Sequence, residues 1–306
     1  MLKFLIRRLG QSLIALAVIS VLVFGLSQLT GNPTDALLPM DASPEQRENI
    51  IRHWGLDRPL HEQYFTFVGN ALQGDFGESM KWRGQPALEV VMRHLPATLQ
   101  LGGFAVLITI IAAIPLGVIA ARYRGTWIDS FANMFALLGQ ALPPFWLGLI
   151  FIWIFAVWLG WLPTSGYGGL YHMILPAFAM AWFQIAALTR LTRSAMIDVL
   201  DTEYIKLARA KGLSGNAIVW KHALRNASIV PLTFFGVLAG SILKGSIVIE
   251  TVFAWPGTGW LAIEAIRGRD FPVIQTTVLL FAIIYLVLNF LIDVLYAIID
   301  PRIRTG

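Results

Sequence analysis

Long runs of apolar residues, separated by short polar segments, are the main pattern along the chain, and they predict membrane-spanning helices. A helix rises 1.5 Å per residue and needs about 20 residues to cross about 30 Å of hydrocarbon. Six runs are long enough, covering residues of about 10–30, 97–121, 129–160, 173–190, 227–249 and 272–298. We therefore expect an all-α integral membrane protein with six transmembrane helices.

The third run is long, and Pro143 and Pro144 interrupt it. It could form one kinked helix or a hairpin of two helices. A single span places fourteen of the 23 Lys and Arg residues on the same side as both termini, whereas a hairpin moves the basic segment after residue 190 to the other side. Lys and Arg are enriched in cytoplasmic loops, so we expect one kinked span and cytoplasmic N and C termini.

The spans divide the chain into three regions. Residues 1–30 form an N-terminal tail and the first transmembrane helix, and residues 97–306 form a core of five helices. Residues 31–96 are too polar to span, with nine Asp and Glu against six Lys and Arg, and should form a small helical insertion on the outer face. One helix should begin at Ser43 and another after Pro59. The insertion either docks an external partner or packs over helix ends.

The composition and motifs of the chain argue against most classes of catalytic site. The chain is 57% hydrophobic and 13% charged, and it contains no cysteine, so disulfide and thiolate chemistry are absent. The five histidines are scattered without the spacing of metal ligands. No Gly-Lys dipeptide occurs, which excludes a phosphate-binding P-loop, and no catalytic dyad is evident. We expect a non-catalytic membrane protein without its own metal or cofactor.

Polar residues inside the runs are candidates for a translocation pathway, since such residues usually face protein or water. The candidates are Gln140, Gln184 and Lys244, with Pro143 at the kink. Hydrogen bonding between helices is the competing explanation.

The segment 251–271 is rich in Trp, Gly and Pro. It is either a connector at the membrane interface or a loop that lines the outer mouth of a pathway. In the second case Trp255, Pro256 and Trp260 form an outer gate.

A basic module covers residues of about 201–226, between the fourth and fifth runs. A helix from Glu203 to Lys211 should end at a left-handed Gly212, and Ser214 should cap a second helix. Four apolar side chains could fill a groove on a partner: Leu207, Leu213, Ile218 and Val219. The module could be a solvated loop, a DNA-binding helix-turn-helix or a docking helix for a soluble motor protein. Tethering by spans at both ends disfavours DNA binding.

Several motifs resemble those of binding-protein-dependent ABC importer permeases, in the dipeptide/oligopeptide/nickel permease family. The module contains "ARAKGL" at 208–213 and "HALRNA" at 222–227, which resemble that family's cytoplasmic coupling motif. Further similarities lie along the chain, in "GLDRP" (55–59), "GDFG" (74–77), "LPATL" (95–99), "FAWPG" (253–257), "RDFPVIQ" (269–275) and "DPRIR" (300–304).

The resemblance implies a type I ABC importer permease fold in a bacterial inner membrane. It implies as partners a second permease subunit, two cytoplasmic ATPases that bind ATP and Mg, an external solute-binding protein and membrane lipid, but no nucleic acid. The solute would be a dipeptide, oligopeptide, glutathione or nickel chelate. Residues expected to contact an ATPase are Ala208, Arg209, Ala210, Lys211, Gly212, Leu213 and His222. The alternative is a carrier driven by an ion gradient, or a channel, that acts alone.

Overall fold

The computed structural model describes the backbone of residues 2–29, 43, 45, 48, 51–52 and 57–299. Side chains are described for the same residues except 2–5, 29, 233, 235–245, 293 and 295–299. The helices, in chain order, are α1 (Leu2–Leu29), α2 (Leu60–Leu72), α3 (Ala87–Arg122), α4 (Trp127–Ala141), α5 (Pro144–Phe151), α6 (Leu170–Leu200), α7 (Glu203–Ala210), α8 (Leu224–Ala227), α9 (Ile229–Val252), α10 (Thr258–Arg267) and α11 (Phe271–Ile299). Two π-helical segments, Ile152–Trp158 and Ala217–Ala223, continue into or out of α-helices.

Four helices in the described part of the chain are long and apolar enough to cross a membrane. They contain the first, second, fourth and sixth predicted runs, and their qualifying ranges are Ile6–Gln28, Ala87–Arg122, Leu170–Leu200 and Phe271–Ile292. The fifth run forms α9, most of whose side chains lie outside the described residues. The all-helical membrane architecture is therefore confirmed, while the count of six spans stays a prediction.

The third run is broken at the predicted prolines. The pair Trp127–Ala141 and Pro144–Trp158 bends by 105°, which is compatible with a broken span or a re-entrant loop. Leu142 is extended because a following proline disfavours the helical conformation, and Pro144 begins α5, where a missing N–H costs nothing. The break is sharper than the kink expected from the sequence, since two consecutive prolines remove two helix donors.

The helix predicted after Pro59 is α2, which begins directly at Leu60. The helix predicted from Ser43 lies largely outside the described residues.

The chain forms two compact units, residues 1–98 with 256–306 and residues 99–255. In the first unit, α3, α10 and α11 share a core of Ala87, Val90, Val91, Leu261, Ala265 and Val273. The fully buried Asp270 fastens the loop after α2 to this core, accepting hydrogen bonds from the Ser79 hydroxyl, from Lys81 N at 3.0 Å and from Val273 N at 3.3 Å. Burial of this carboxylate is offset by these three donors.

In the second unit, the long helix α6 packs against α3, α4, α5 and α9. Small residues allow the close approaches. A Cβ at Gly139 of α4 would lie 2.5 Å from Cβ of Ala186, and one at Gly117 of α3 would lie 2.6 Å from Cβ of Thr192. Glycine at these positions lets the helix backbones come together, as is common in membrane bundles.

Candidate functional site

The basic module folds as a helix, a glycine turn and a second helix, as the sequence predicts. Helix α7 ends at Ala210, and Gly212 takes a φ of +77° with open space where a Cβ would stand. Left-handed backbone of this kind favours glycine. The second helix starts with a cap, because Ala217 N donates to Ser214 Oγ at 3.3 Å. We call residues 203–227 the coupling module, after the family's coupling motif that its sequence resembles.

One face of the coupling module is buried against α3 and α6 within the second unit. Ile205, Ile218, Val219, Ala223 and Ala227 form a cluster with Val118, Ala121, Ala195 and Met196 of α3 and α6, and Ala208 packs on its edge. Ile205 and Ala223 are 0% exposed. The expectation that Ile218 and Val219 fill a partner's groove is therefore wrong, since both side chains are buried in the chain's own core.

The other face is open. Its exposed apolar side chains include Leu207 (57%), Leu213 (39%) and Trp220 (42%), and Tyr204 is 41% exposed. Arg209, Ala210, Lys211 and Gly212 are exposed beside them, and His222 is half-buried. Four cations on this module have no described ion-pair partner: Arg209, Lys211, Lys221 and Arg225. An apolar and cationic surface of this type suits a protein groove with acidic groups.

Polar contacts tie the coupling module, and Asp201 just before it, to the end of α3 and the loop that follows α3. Arg122 Nη1 donates to Asn216 Oδ1 at 2.6 Å, and Arg124 pairs with Asp201 at 3.3 Å. The second pair is exposed and contributes little to stability, whereas the buried apolar cluster beneath it does most to fix the module.

A buried ion pair that sequence reasoning missed lies behind these contacts. Asp129 of α4, 5% exposed, accepts from Arg193 of α6 through Nε at 2.5 Å and Nη2 at 2.7 Å. The carboxylate also accepts from Gly125 N and from Asn133 Nδ2, each at 3.0 Å. The available signal was an acid at the start of one apolar run and an arginine at the end of the next.

The predicted pathway residues do not form one cluster that the structure describes. Gln184 on α6 is 5% exposed, and its Oε1 has no hydrogen-bond partner among the described residues. Gln140 is half-buried and donates to Ala136 O in its own helix at 3.2 Å, while Pro143 is exposed at the break. The side chain of Lys244 lies outside the described residues.

The segment 251–271, which contains the predicted outer gate, is partly helical and is not only a connecting loop. It includes the whole of α10, and Ala254 before it has a φ of +47°. Trp255 has no exposed surface and meets the ring of Tyr167 edge-on, with centroids 4.8 Å apart. Within the other unit, Pro256 is half-buried and Trp260 stacks on His94 at 6.0 Å.

One carboxylate of the first unit is perturbed by an ion pair. Lys81 Nζ donates to Glu264 Oε2 at 2.7 Å, and Arg267 Nη1 donates to Glu264 Oε1 at 3.2 Å. The hydrogen bond from Lys81 is the largest influence, and with the charges of both cations it lowers the pKa of the Glu264 carboxyl below its ordinary 4.5. No group of three His, Cys, Asp or Glu residues with metal-site geometry occurs among the described residues.

Comparison with known families agrees with this arrangement. Residues 113–305 match the family described as "Binding-protein-dependent transport system inner membrane component". Residues 1–102 match its N-terminal counterpart, "Binding-prot-dependent transport system membrane comp, N-term". The chain belongs to this family. It is a multi-pass inner-membrane permease component, and its coupling module lies within the region matched by the first of the two descriptions.

Relatives in this family align over their full lengths. The oligopeptide transport system permease protein AppB of Bacillus subtilis (strain 168) is 39% identical over 315 residues, covering 99% of this chain and 100% of that protein. The glutathione transport system permease protein GsiC of Escherichia coli (strain K12) is 41% identical over 305 residues, covering 99% of both. These identities confirm the resemblance to the dipeptide/oligopeptide/nickel permease family.

A solved structure shares the fold. A chain of the inward-facing MetNI methionine ABC transporter superposes with a TM-score of 0.58 at 18% identity, covering 70% of this chain and 97% of that chain. The type I ABC permease fold expected from the sequence is thereby confirmed.

Proposed function

We propose that this chain forms half of the translocation pathway of an ATP-driven importer, and that its coupling module is the seat of a cytoplasmic ATPase. The carried solute is proposed to be a small peptide or a related compound, such as an oligopeptide, glutathione or a nickel chelate. Family membership and the names of the relatives support this assignment. A second permease subunit would supply the other half, and an external solute-binding protein would deliver the solute.

The two faces of the coupling module carry the proposal. The inward face is held to α3 and α6 by an apolar cluster, so a force on the module reaches the helices. The outward face offers leucines, aromatic rings and cations that have no ion-pair partner among the described residues. Apolar side chains on a cytoplasmic surface cost free energy when left in water, and a docking groove removes that cost.

ATP and Mg would be bound by the partner ATPases, and this chain would be a non-catalytic subunit. Closure of the ATPase pair would push the coupling module, and α6 and α9, which flank it in the sequence, would tilt to alternate the open side of the pathway. Both chain termini and the module would then lie in the cytoplasm, as the distribution of Lys and Arg favours.

For the pathway we propose Gln140, Pro143, Gln184 and Lys244, and for the outer gate Trp255, Pro256 and Trp260. Among these, Gln184 has the most support, because a buried amide oxygen without a donor costs roughly 1–3 kcal/mol, which a polar solute or water can offset. The left-handed Ala254 beside Trp255 supports a specialised role of the gate loop, since such backbone concentrates at functional positions.

Replacement of one exposed leucine tests the ATPase seat. Leu207→Glu places a charge on the outward face, where the side chain is 57% exposed and lies outside the buried cluster of the module. We expect at least a tenfold loss of the ATPase subunits that co-purify in mild detergent, and a matching loss of ATP-dependent uptake. Leu60→Glu, at a site 60% exposed on α2, is the matched control and should leave assembly unchanged.

Gly212→Arg provides a second variant, because it strains the left-handed turn and adds a bulky side chain to the same face. If both Leu207→Glu and Gly212→Arg kept full assembly and uptake, the proposed seat would be wrong. Uptake by the isolated chain along an ion gradient would instead support a carrier that acts alone.

A further inference from the structure

A bidentate ion pair joins α4 to α6 at the end of α6 that leads into the coupling module. Arg193 lies seven residues before the end of α6 at Leu200, and α7 follows after Asp201 and Thr202. Its guanidinium presents two parallel N–H groups to both oxygens of Asp129. This fork geometry fixes direction as well as distance, so α4 cannot rotate freely about its axis at this point.

The Asp129 carboxylate is saturated with donors. Besides Arg193, it accepts from Gly125 N in the loop before α4 and from Asn133 Nδ2 one turn later. Asp129 is 5% exposed, so the loss of one of these donors would leave a mostly buried carboxylate under-satisfied, which costs free energy. The pair therefore holds the start of α4, and the loop that precedes it, to α6.

A second fixed point lies nearer the prolyl break. Gly139 sits against Ala186, and the ring of Phe135 meets that of Trp182 edge-on at 4.7 Å. The residue order of these contacts shows that α4 runs antiparallel to α6. With one attachment at each end of α4, the helix must move with α6 as a single body up to Ala141, where the chain breaks.

We propose that Asp129 and Arg193 are positioning residues that make α4 follow the coupling module, so that ATP-driven motion changes the bend at Pro143–Pro144. The inference rests on the proposed ATPase seat and adds a route from that seat to the broken helix. The break is where such motion can be absorbed, because the two prolines remove helix donors there and α5 packs against α9 as well as against α6. The pair acts through α4 and touches neither nucleotide nor solute.

The absence of cysteine allows a direct test in the full complex of this chain, its partner permease and the ATPases. Phe131→Cys on α4 and Leu149→Cys on α5, at sites 59% and 52% exposed, place two spin labels across the break. We expect the distance between the labels to shift when ATP and orthovanadate are added. No solute is required for this measurement.

Asp129→Asn should leave the ATPases bound and hydrolysing ATP, yet reduce the distance shift by at least half. Asp129→Glu, which keeps a carboxylate, should restore part of the shift. Asp198→Asn is the matched control, since it makes the same chemical change at an exposed site on α6 and should keep the full shift.

The proposal would be overturned by a full distance shift in Asp129→Asn, or by the absence of a shift in the labelled protein that retains Asp129. Loss of ATPase binding in Asp129→Asn would overturn it as well, by showing that the pair only maintains the fold of the module. Failure of the ATPase seat is separate, because it would appear as full assembly in Leu207→Glu whatever the labels report. If Leu207→Glu released the ATPases while Asp129→Asn kept the full shift, only the positioning role would fail.

Discussion

Two acidic residues of the first unit, Asp270 and Glu264, have different structural roles because their surroundings differ. Asp270 is fully buried and satisfied by the Ser79 hydroxyl and backbone N–H groups, so it organises a loop. Glu264 is closer to solvent and meets two cations, Lys81 and Arg267. The interactions of Asp270 are hydrogen bonds inside the core, whereas the interaction of Glu264 is an ion pair near the surface, whose contribution to stability depends on pH.

The pH dependence of Glu264 has a definite sign. The pKa of its carboxyl is lowered in the folded protein, so the pair with Lys81 contributes stability above pH 4.5 and loses it as pH falls through the lowered pKa. We expect Glu264→Gln to lower Tm near neutral pH, and this difference from the unsubstituted protein to shrink below pH 4.5. Lys81→Gln should behave alike, and a difference that grew toward acid pH would contradict the assignment.

Residue roles were the hardest to predict from the sequence. The turn at Gly212 was predictable, because few residues other than glycine accept a φ of +77°. The pairing of Asp129 with Arg193 was not, because it joins residues 64 apart and depends on how two helices pack. The division of the module into buried Ile218 and Val219 and exposed Leu207 likewise required the neighbouring helices.

At the scale of elements, helix positions followed from apolar runs, while breaks and close approaches followed from individual small residues and prolines. The runs predicted α1, α3, α6, α9 and α11, since length and apolarity are local properties. The angle at Pro143–Pro144 could not be predicted, because prolines allow a range of bends and the packing of α5 against α6 and α9 selects one. Helix α10 was missed because its Gly and Trp residues indicated a loop.

The contact between α4 and α6 yields a test of packing. Gly139→Ala puts a methyl 2.5 Å from Cβ of Ala186, so we expect a loss of about 1–3 kcal/mol in stability, seen as a lower Tm in detergent. Gly103→Ala on α3 is the control, because its Cβ meets no atom within 4 Å, and it should be neutral or stabilising.

Adding Ala186→Gly to Gly139→Ala should recover most of the lost stability by returning the missing space. Equal Tm values for Gly139→Ala and Gly103→Ala would show that the two helices separate at little cost.

For the whole molecule, the family could be recognised from motifs spread along the chain, and its membrane orientation rests on the positions of Lys and Arg. Those residues predict a cytoplasmic coupling module and an external α2, because basic loops remain inside. The solute class could not be predicted from residues of this chain, because the proposed external partner would do much of the selection.

Single cysteines can determine the orientation, because the unsubstituted chain contains none and gives no background. Gln73→Cys, exposed after α2, should react with a membrane-impermeant maleimide in intact spheroplasts. Arg124→Cys, in the exposed loop between α3 and α4, should react only after permeabilisation. The reverse pattern would place the coupling module outside the cell and rule out a cytoplasmic ATPase as its partner.

The separation of the coupling module into two faces also affects how such a subunit could evolve to bind a different ATPase. Residues such as Ile205 and Ala223 are constrained by packing inside this chain. Leu207, Leu213 and the exposed cations are constrained only by the partner that they contact. Substitutions on the open face can therefore accumulate in step with a partner without disturbing the helices beneath. A few substitutions on the open face could therefore decide whether related transporters in one cell use separate ATPases or the same one.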